Sequence, residues 1–499
     1  MKNPTFRRCC AVASLLWLAL WLAGCKVGPN YQRPAPAGAN AMPAVFSEPL
    51  THAGSWKPAA PSAGLPRGAW WRIFSEPELD RLEDLALANN QDLAAALARF
   101  DEAQASVKAA RAQLFPQVQT APSYARQRTS RNAPFNGRPA GVSPTFNTWS
   151  ATLTAGWEAD LWGRVRRQVE SARAQLTASA DDLEGVRLAI SAELASDYFL
   201  LRALDSEDDL LVRTIEAYRR SLELTLNRRR GGVASDLDVS EAQTQLRTTE
   251  AALPALRLQR AQVLHAMATL CGRLATGFAL APASAELAPA PAIPLLLPSE
   301  LLERRPDIAA AEERMAAANA RIGVAQGAFF PAVQFNGLAG FESLSASTWF
   351  DWPSRLWAVG PSLQLPLFTG GALRAQLALA RATYKETVAA YRQTVLGAFQ
   401  EVEDQIATQR LLQAQADAQF QALTAARRTL DIANNRYKAG LVTYLEVATA
   451  QSAALDIERS VVELQGQQKI AAVALVKALG GGWERLSGAK NEARRQNKA

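Results

Sequence analysis

Histidine and cysteine are nearly missing from this chain of 499 residues, which has two of the first and four of the second. His52 and His265 stand far apart, no Cys or His sits at metal-ligand spacing, and no nucleophile motif is present, so the chain does not read as an enzyme. Three of the cysteines, Cys9, Cys10 and Cys25, crowd the N-terminus. Cys271 is then left without an intrachain partner and reads as a small packing residue near a helix end. Stability has to come from packing and oligomerisation. Beyond the N-terminus there is also no run of about 18 apolar residues, so any membrane crossing falls to strands. Nor is the charge strongly one-sided. The net +7 becomes +4 (7 − 3) without Lys2, Arg7 and Arg8, and several remaining bases lie in a tail at 484–499, which reads as solvated rather than as a nucleic-acid surface.

What is present begins with a leader. Lys2, Arg7 and Arg8 precede an apolar run over 11–23 that is too short to span a bilayer. The run ends in Leu22-Ala23-Gly24-Cys25, which resembles the bacterial lipobox. That resemblance implies removal of residues 1–24 and a covalent diacylglycerol and N-acyl lipid on Cys25, with no other cofactor. Lys26 in place of Asp at the second mature position implies, by the same resemblance, passage to the outer membrane.

The chain then repeats itself at a period of roughly 208 residues. Phe115-Pro116 returns as Phe330-Pro331, and Gly232 with Leu237-Asp238-Val239 and Ala242-Gln243 returns as Gly440 with Leu445-Glu446-Val447 and Ala450-Gln451. The organisation is an anchor and extended linker over 25–75, a first copy over 76–275, a Pro- and Ala-rich linker over 276–298, and a second copy over 299–483. Each copy is expected to run helix, strand, strand, and two very long helices. The leading helices are placed at 93–114 and 307–328. Residues 165–229 contain no proline and form one helix of roughly 100 Å at ~1.5 Å per residue. The returning helix places Val239, Ala242, Leu246, Leu253, Leu256, Val263, Met267 and Leu270 on a heptad-like seam, repeated by Val447, Ala450, Ala454, Ile457, Val461 and Leu464. Pro254 is expected to kink it.

Period two replaces period 3.6 over 149–161. Trp149, Ala151, Leu153, Ala155, Trp157, Ala159 and Leu161 alternate with Ser150, Thr152, Thr154, Gly156, Glu158 and Asp160, which predicts a strand with one apolar and one polar face. The second copy gives Val333, Phe335, Gly337, Ala339 and Phe341, then Trp357, Val359, Leu363, Leu365 and Leu367. Four such strands cannot close a barrel, since ~8 is the practical minimum, so the chain must oligomerise.

Several long motifs carry a resemblance: Cys25-Lys26-Val27-Gly28-Pro29-Asn30-Tyr31, Leu302-Glu303-Arg304-Arg305-Pro306-Asp307-Ile308, Ala318-Asn319-Ala320-Arg321-Ile322-Gly323-Val324-Ala325, Phe329-Phe330-Pro331 and Ala478-Leu479-Gly480-Gly481-Gly482-Trp483. With them the chain resembles the TolC-type outer-membrane factors, and within these the lipoprotein branch similar to OprM. The resemblance implies a mostly α fold with a transmembrane β-barrel. It implies a homotrimer with a 12-strand barrel in outer-membrane lipid and a 12-helix periplasmic tunnel. Two partners follow, a periplasmic adaptor (membrane fusion) protein and an inner-membrane transporter of the resistance-nodulation-division type. The function implied is a passive exit duct for drugs or other small molecules in a tripartite efflux system. A duct for type I protein secretion shares the architecture, and a periplasmic adaptor lipoprotein shares coiled-coil hairpins but would show only one.

The candidate site lies at the helix-helix turns. Gly232 and Ser235 in one, and Gly440 and Thr443 in the other, supply turn and capping chemistry, and by resemblance these tips face the adaptor. Asp238 and Glu446 occupy matching positions just inside them. By resemblance Glu446 is an acid of the periplasmic aperture, Thr449 stands where the family pattern has a second acid, and Val442 where it has a charged or polar partner. Leu445 is the alternative, hydrophobic, constriction. Asp238 is expected on the outer helix with a smaller role.

Overall fold

The computed structural model describes residues 26–34, 68–129, 145–283, 288–291 and 304–481. The leader, Cys25, His52, most of the 25–75 segment, much of the 276–298 linker, Gly482-Trp483 and the basic tail lie outside the described residues. Seven α-helices and four strands are found there. They are α1 (Pro77–Asn89), α2 (Gln91–Ala112), β1 (Gln117–Arg128), β2 (Thr145–Ala159), α3 (Arg164–Arg230), α4 (Asp236–Leu270), α5 (Pro306–Gly327), β3 (Ala332–Ser343), β4 (Arg355–Gln364), α6 (Ala372–Lys438) and α7 (Tyr444–Ala478). No described helix is long and apolar enough to cross a membrane.

The duplication is visible in the elements themselves. Helices α3 and α6 each have 67 residues and start 208 positions apart (372 − 164); α4 and α7 each have 35 and keep the same offset (444 − 236). The copies are nevertheless not separate domains, because each of the two compact units of the chain draws segments from both.

In the first unit the four strands form one antiparallel sheet in the order β1-β2-β3-β4. The register sets Tyr124 opposite Trp149, Trp157 opposite Phe335 and Ala339 opposite Trp357, which gathers the apolar residues on one face. On the other face Asn336 donates to Ser362 Oγ at 2.9 Å. The alternation therefore holds, but its ends move. Strand β2 stops at Ala159 because Asp160 turns to cap α3, accepting from the Val165 and Arg166 amides at 3.0 and 2.8 Å. Leu161 leaves the sheet, and so do Leu365 and Leu367, past the end of β4 at Gln364.

The same unit holds the first described residues in a clasp. Arg167, fully buried, donates through Nε to Val27 O at 3.1 Å and through Nη2 to Gly28 O and Asn30 Oδ1 at 2.9 and 3.0 Å. Its Nη1 pairs with Glu170, which also meets Lys26. Asn319 donates to Pro29 O at 2.9 Å, and Tyr31 and Arg33 converge on Glu312. Gly28, at φ +99°, passes Gly323 so closely that a Cβ would stand 2.5 Å from its Cα. The motifs at 25–31 and 318–325 are thus the two halves of one contact.

In the second unit the helix seams are buried as expected: Val239, Ala242, Leu246, Leu256 and Met267 in α4, and Val447, Ala450, Ala454, Val461 and Leu464 in α7. Small side chains bring axes together, as where Gly466 of α7 meets Ala203 of α3 at a virtual Cβ distance of 2.7 Å. Pro254 sits inside an uninterrupted α4. The expectation of two very long helices per copy needs correction. The return helix stops at about half the length of its partner, and the leading helix takes over at its end. Asn90 both caps α2, accepting from the Leu93 amide at 3.0 Å, and donates to Leu270 O at 2.9 Å. In the second copy Arg305 reaches Ala478 O at 2.9 Å and Glu401 at 2.6 Å. Each junction satisfies terminal carbonyls that would otherwise be orphaned. The core around them contains Trp70, Trp71, Phe74, Phe199 and Cys271, so the thiol is a packing residue as read from the sequence.

Arg167→Met is expected to open the clasp, since removing one partner of a buried charged network costs about 3–5 kcal/mol. Limited trypsinolysis followed by mass spectrometry checks it: the Lys26-Val27 bond should resist in the wild type and be cut early in the variant. Equal resistance would show that Arg167 does not hold the strap.

Candidate functional site

Two hairpin turns lie together in the second unit, and they end their long helices identically. At the first, Gly232 N donates to Arg229 O and Val233 N to Arg228 O, both at 2.9 Å; at the second, Gly440 N donates to Tyr437 O and Leu441 N to Arg436 O, both at 2.9 Å. These are the paired bonds of a Schellman ending, which needs a left-handed residue, and Gly232 and Gly440 supply it at φ +75° and +76°.

The returning helices begin differently. Ser235 and Asp238 form a reciprocal capping box, in which Asp238 N donates to Ser235 Oγ at 3.2 Å and Ser235 N to Asp238 Oδ2 at 2.8 Å. Thr443 makes no side-chain cap for α7. The missing acceptor comes from the other copy: Tyr444 N donates to Asp238 Oδ1 at 3.0 Å. Sequence reading gives Asp238 the smaller role, whereas the structure makes it the cap of both hairpins. Burial opposes its charge, but the Ser235 and Tyr444 amides, the Ser235 hydroxyl and Arg228 outweigh that and hold its carboxyl below the usual range.

Arg228 makes a second bridge. Its Nη1 donates to Lys438 O at 3.0 Å, at the C-terminal end of α6, and its guanidinium lies 4.7 Å from the Tyr437 ring centroid. Beneath it runs a buried polar chain. Tyr437 donates to Thr225 Oγ1 at 3.3 Å, and Tyr444 donates to Gln451 Oε1 at 3.2 Å while Ser221 meets its oxygen at 3.3 Å. Tyr218 donates to Gln451 O at 3.1 Å. The Tyr437 and Tyr444 rings meet edge to face at 5.5 Å, over an apolar floor of Ala242, Ala433, Val447 and Ala450.

Leu445, Glu446 and Thr449 share the opposite, solvent-exposed side of α7, with Leu445 57% exposed. Thr449 spends its hydroxyl on Leu445 O at 2.8 Å. Glu446 meets Arg436 at 3.4 Å with both side chains about half exposed, a pair of small energetic weight. The structure therefore groups the expected residues into an outward acidic and apolar face, and an inward bolt that sequence reasoning missed in Arg228, Tyr437 and Tyr444. A signal for the bolt exists in the repeat. At the 208-residue offset Tyr437 and Tyr444 stand where the first copy has Arg229 and Asp236, which pair with each other. One pair that the copies share is internal to each hairpin, Arg219 with Glu250 at 3.0 Å and Arg427 with Glu458 at 2.7 Å. The divergent tyrosines instead reach the other hairpin, Tyr437 through Thr225 and Tyr444 through Ser221.

The chain matches the sequence family described as Outer membrane efflux protein over residues 82–273 and 297–481. It is 32% identical over 483 residues to a probable efflux pump outer membrane protein, TtgC, of Pseudomonas putida, covering 97% of this chain and 98% of that one. It is 33% identical over 494 residues to the outer membrane protein OprJ of Pseudomonas aeruginosa, covering 97% of each. Among solved structures it is similar to the outer-membrane channel OprN, with a TM-score of 0.79, 31% identity, and coverage of 92% of this chain and 100% of that one.

The Asp238 bridge predicts a pH dependence of definite sign. A carboxyl whose folded value is depressed contributes stability that is complete above its unfolded value, about 4, and is lost as pH falls through the lower folded value. Hydrogen exchange of the Tyr444 amide should be strongly protected above pH 4 and lose protection on further acidification, while Asp238→Asn should lack that step. A pH-independent protection in the wild type would remove Asp238 from the bolt.

Proposed function

This chain belongs to the outer membrane efflux protein family, and from that premise we propose how it assembles and closes. It is an outer-membrane protein and the exit duct of an efflux system. The observation that carries the assembly is the sheet: four strands with two unpaired outer edges and one exposed apolar face bearing Val118, Leu153, Trp357, Val359 and Leu363. In hydrocarbon an unpaired edge is untenable, so three copies joined edge to edge form a barrel of twelve strands, with their helices forming the periplasmic tunnel. The mature chain is tethered by acyl groups on Cys25. The tips, through the turns at Gly232 and Gly440 with Ser235 and Thr443, receive a periplasmic adaptor protein, which couples the duct to an inner-membrane transporter of the resistance-nodulation-division type. Conduction is passive, and the chain itself does no chemistry.

At the aperture, three copies of α7 direct their exposed sides to the axis. Glu446 then makes the passage cation-preferring, since like charges in a narrow opening concentrate cations, and Leu445 constricts it. In planar bilayers Glu446→Gln should lower cation selectivity and weaken block by multivalent cations added from the periplasmic side, at unchanged trimer yield. Unchanged selectivity and block would exclude Glu446 from the pore and leave Leu445 as the constriction.

The tether is tested separately. Cys25→Ser should abolish incorporation of a palmitate analogue, and mass spectrometry of the wild type should find Cys25 at the mature N-terminus carrying acyl groups. An unmodified Cys25 there would overturn the assignment.

A further inference from the structure

The end of the sheet away from the helices carries charges that neither the duct nor its closure uses. Strand β1 follows α2 and β2 leads into α3, so Arg128, Thr145, Ser343 and Arg355 mark the far end of the sheet, opposite the one joined to the helices. On β1, Tyr124, Arg126 and Arg128 alternate onto one face, and the Tyr124 ring lies 4.4 Å from Trp149, which lies 5.3 Å from Trp349. That face is the apolar one, with Leu153, Phe335, Trp357 and Val359 exposed further along it. Two arginines therefore stand just beyond an aromatic belt on the lipid side, about 7 Å apart along the strand. Arg355, on the same face of β4, lies 4.3 Å over the Trp352 ring and fixes one nitrogen on Trp352 O at 2.9 Å. The acids among the described residues of this end are Glu342, which alternates onto the polar face, and Asp351, in the turn between β3 and β4.

Like charges this close on a face with no paired acid call for an anion. At head-group height the anion available is phosphate, which a guanidinium binds with two parallel hydrogen bonds. We propose that Arg126, Arg128 and Arg355 form a binding rim for the phosphorylated glycolipid of the outer leaflet, with the aromatic belt against its acyl chains. The inference rests on the barrel reading above, which puts the far end of the sheet at the outer surface.

The test uses the purified full-length trimer in detergent, with bisphosphorylated lipid A and its dephosphorylated form as probes. Bisphosphorylated lipid A should raise the midpoint of heat-induced trimer dissociation by several degrees, and the dephosphorylated form should not. Arg126→Gln with Arg128→Gln should abolish most of the shift, and Arg355→Gln should reduce it, with the single-channel conductance of both variants unchanged. Equal protection by the two lipids, or a full shift in the double variant, overturns the proposal while leaving the duct intact. A wild-type chain that neither trimerises nor conducts would instead overturn the barrel reading, and the rim with it.

Discussion

A peptide group in hydrocarbon has no water to pair with, and most of this architecture follows from that. Among the described residues, four strands are joined by antiparallel pairing into one sheet with two bare edges. Alternation puts Trp357, Val359 and Leu363 on one side and Gln334, Asn336 and Ser362 on the other, so the sheet suits a wall between lipid and water but not a closed object. In the proposed assembly, association then follows from the need of those edges for hydrogen-bond partners. In that assembly the edges and the exposed helix faces supply the cross-chain surface, and the free thiol of Cys271 serves packing alone.

Duplication solves the wall cheaply and leaves the tips as the place where the copies must differ. Both hairpins keep the same Schellman glycine and the same arginine-glutamate staple, because those contacts lie within a hairpin and each copy needs them equally. Contacts between hairpins are heterologous, so one copy has to supply what the other receives. Arg228 and Asp238 come from the first copy, and the ring pair Tyr437 and Tyr444 and the uncapped start of α7 come from the second. The matching residues Arg436 and Glu446 remain within their own hairpin.

What the sequence made legible was what repeats. The period, the heptad seams, the strand alternation and the turn glycines each recur at fixed spacing, and the elements given places from them fall within a few residues, whereas α1 and β1 were given none. Boundaries moved where a single side chain took a second task, as when Asp160 became a helix cap. Long-range pairings were not legible, because nothing local in Arg167 marks it as the receptor for residues 27–30, and nothing in Asn90 marks the end of a helix 180 positions away. For the candidate site, Gly232, Ser235 and Gly440 were readable from turn chemistry. Thr443 was readable too, yet it makes no cap. The bolt was hidden by the same averaging that reveals a repeat: a search for agreement between copies passes over Tyr437 and Tyr444, which matter because they disagree with Arg229 and Asp236.

The way the tip is built also bears on how it separates. Asp238 caps α4 through one oxygen and α7 through the other, so drawing the hairpins apart removes the first hydrogen bond of α7 along with the contact between them. Tyr444, buried and raised in pKa mainly by desolvation, stays a hydrogen-bond donor at any ordinary pH; its bond to Gln451 lies within α7, whereas parting the hairpins breaks its contact with Ser221 and the Tyr218 bond to Gln451 O together. Leaving such buried partners unsatisfied costs about 1–3 kcal/mol each, whereas the exposed Arg436–Glu446 pair holds with less than about 1 kcal/mol. Partial separation therefore incurs nearly the whole cost with none of the benefit of full solvation. The hairpins should part in one cooperative step, and a force applied at the turns would be met first by the Asp238 and Arg228 bridges, which lie nearest to them.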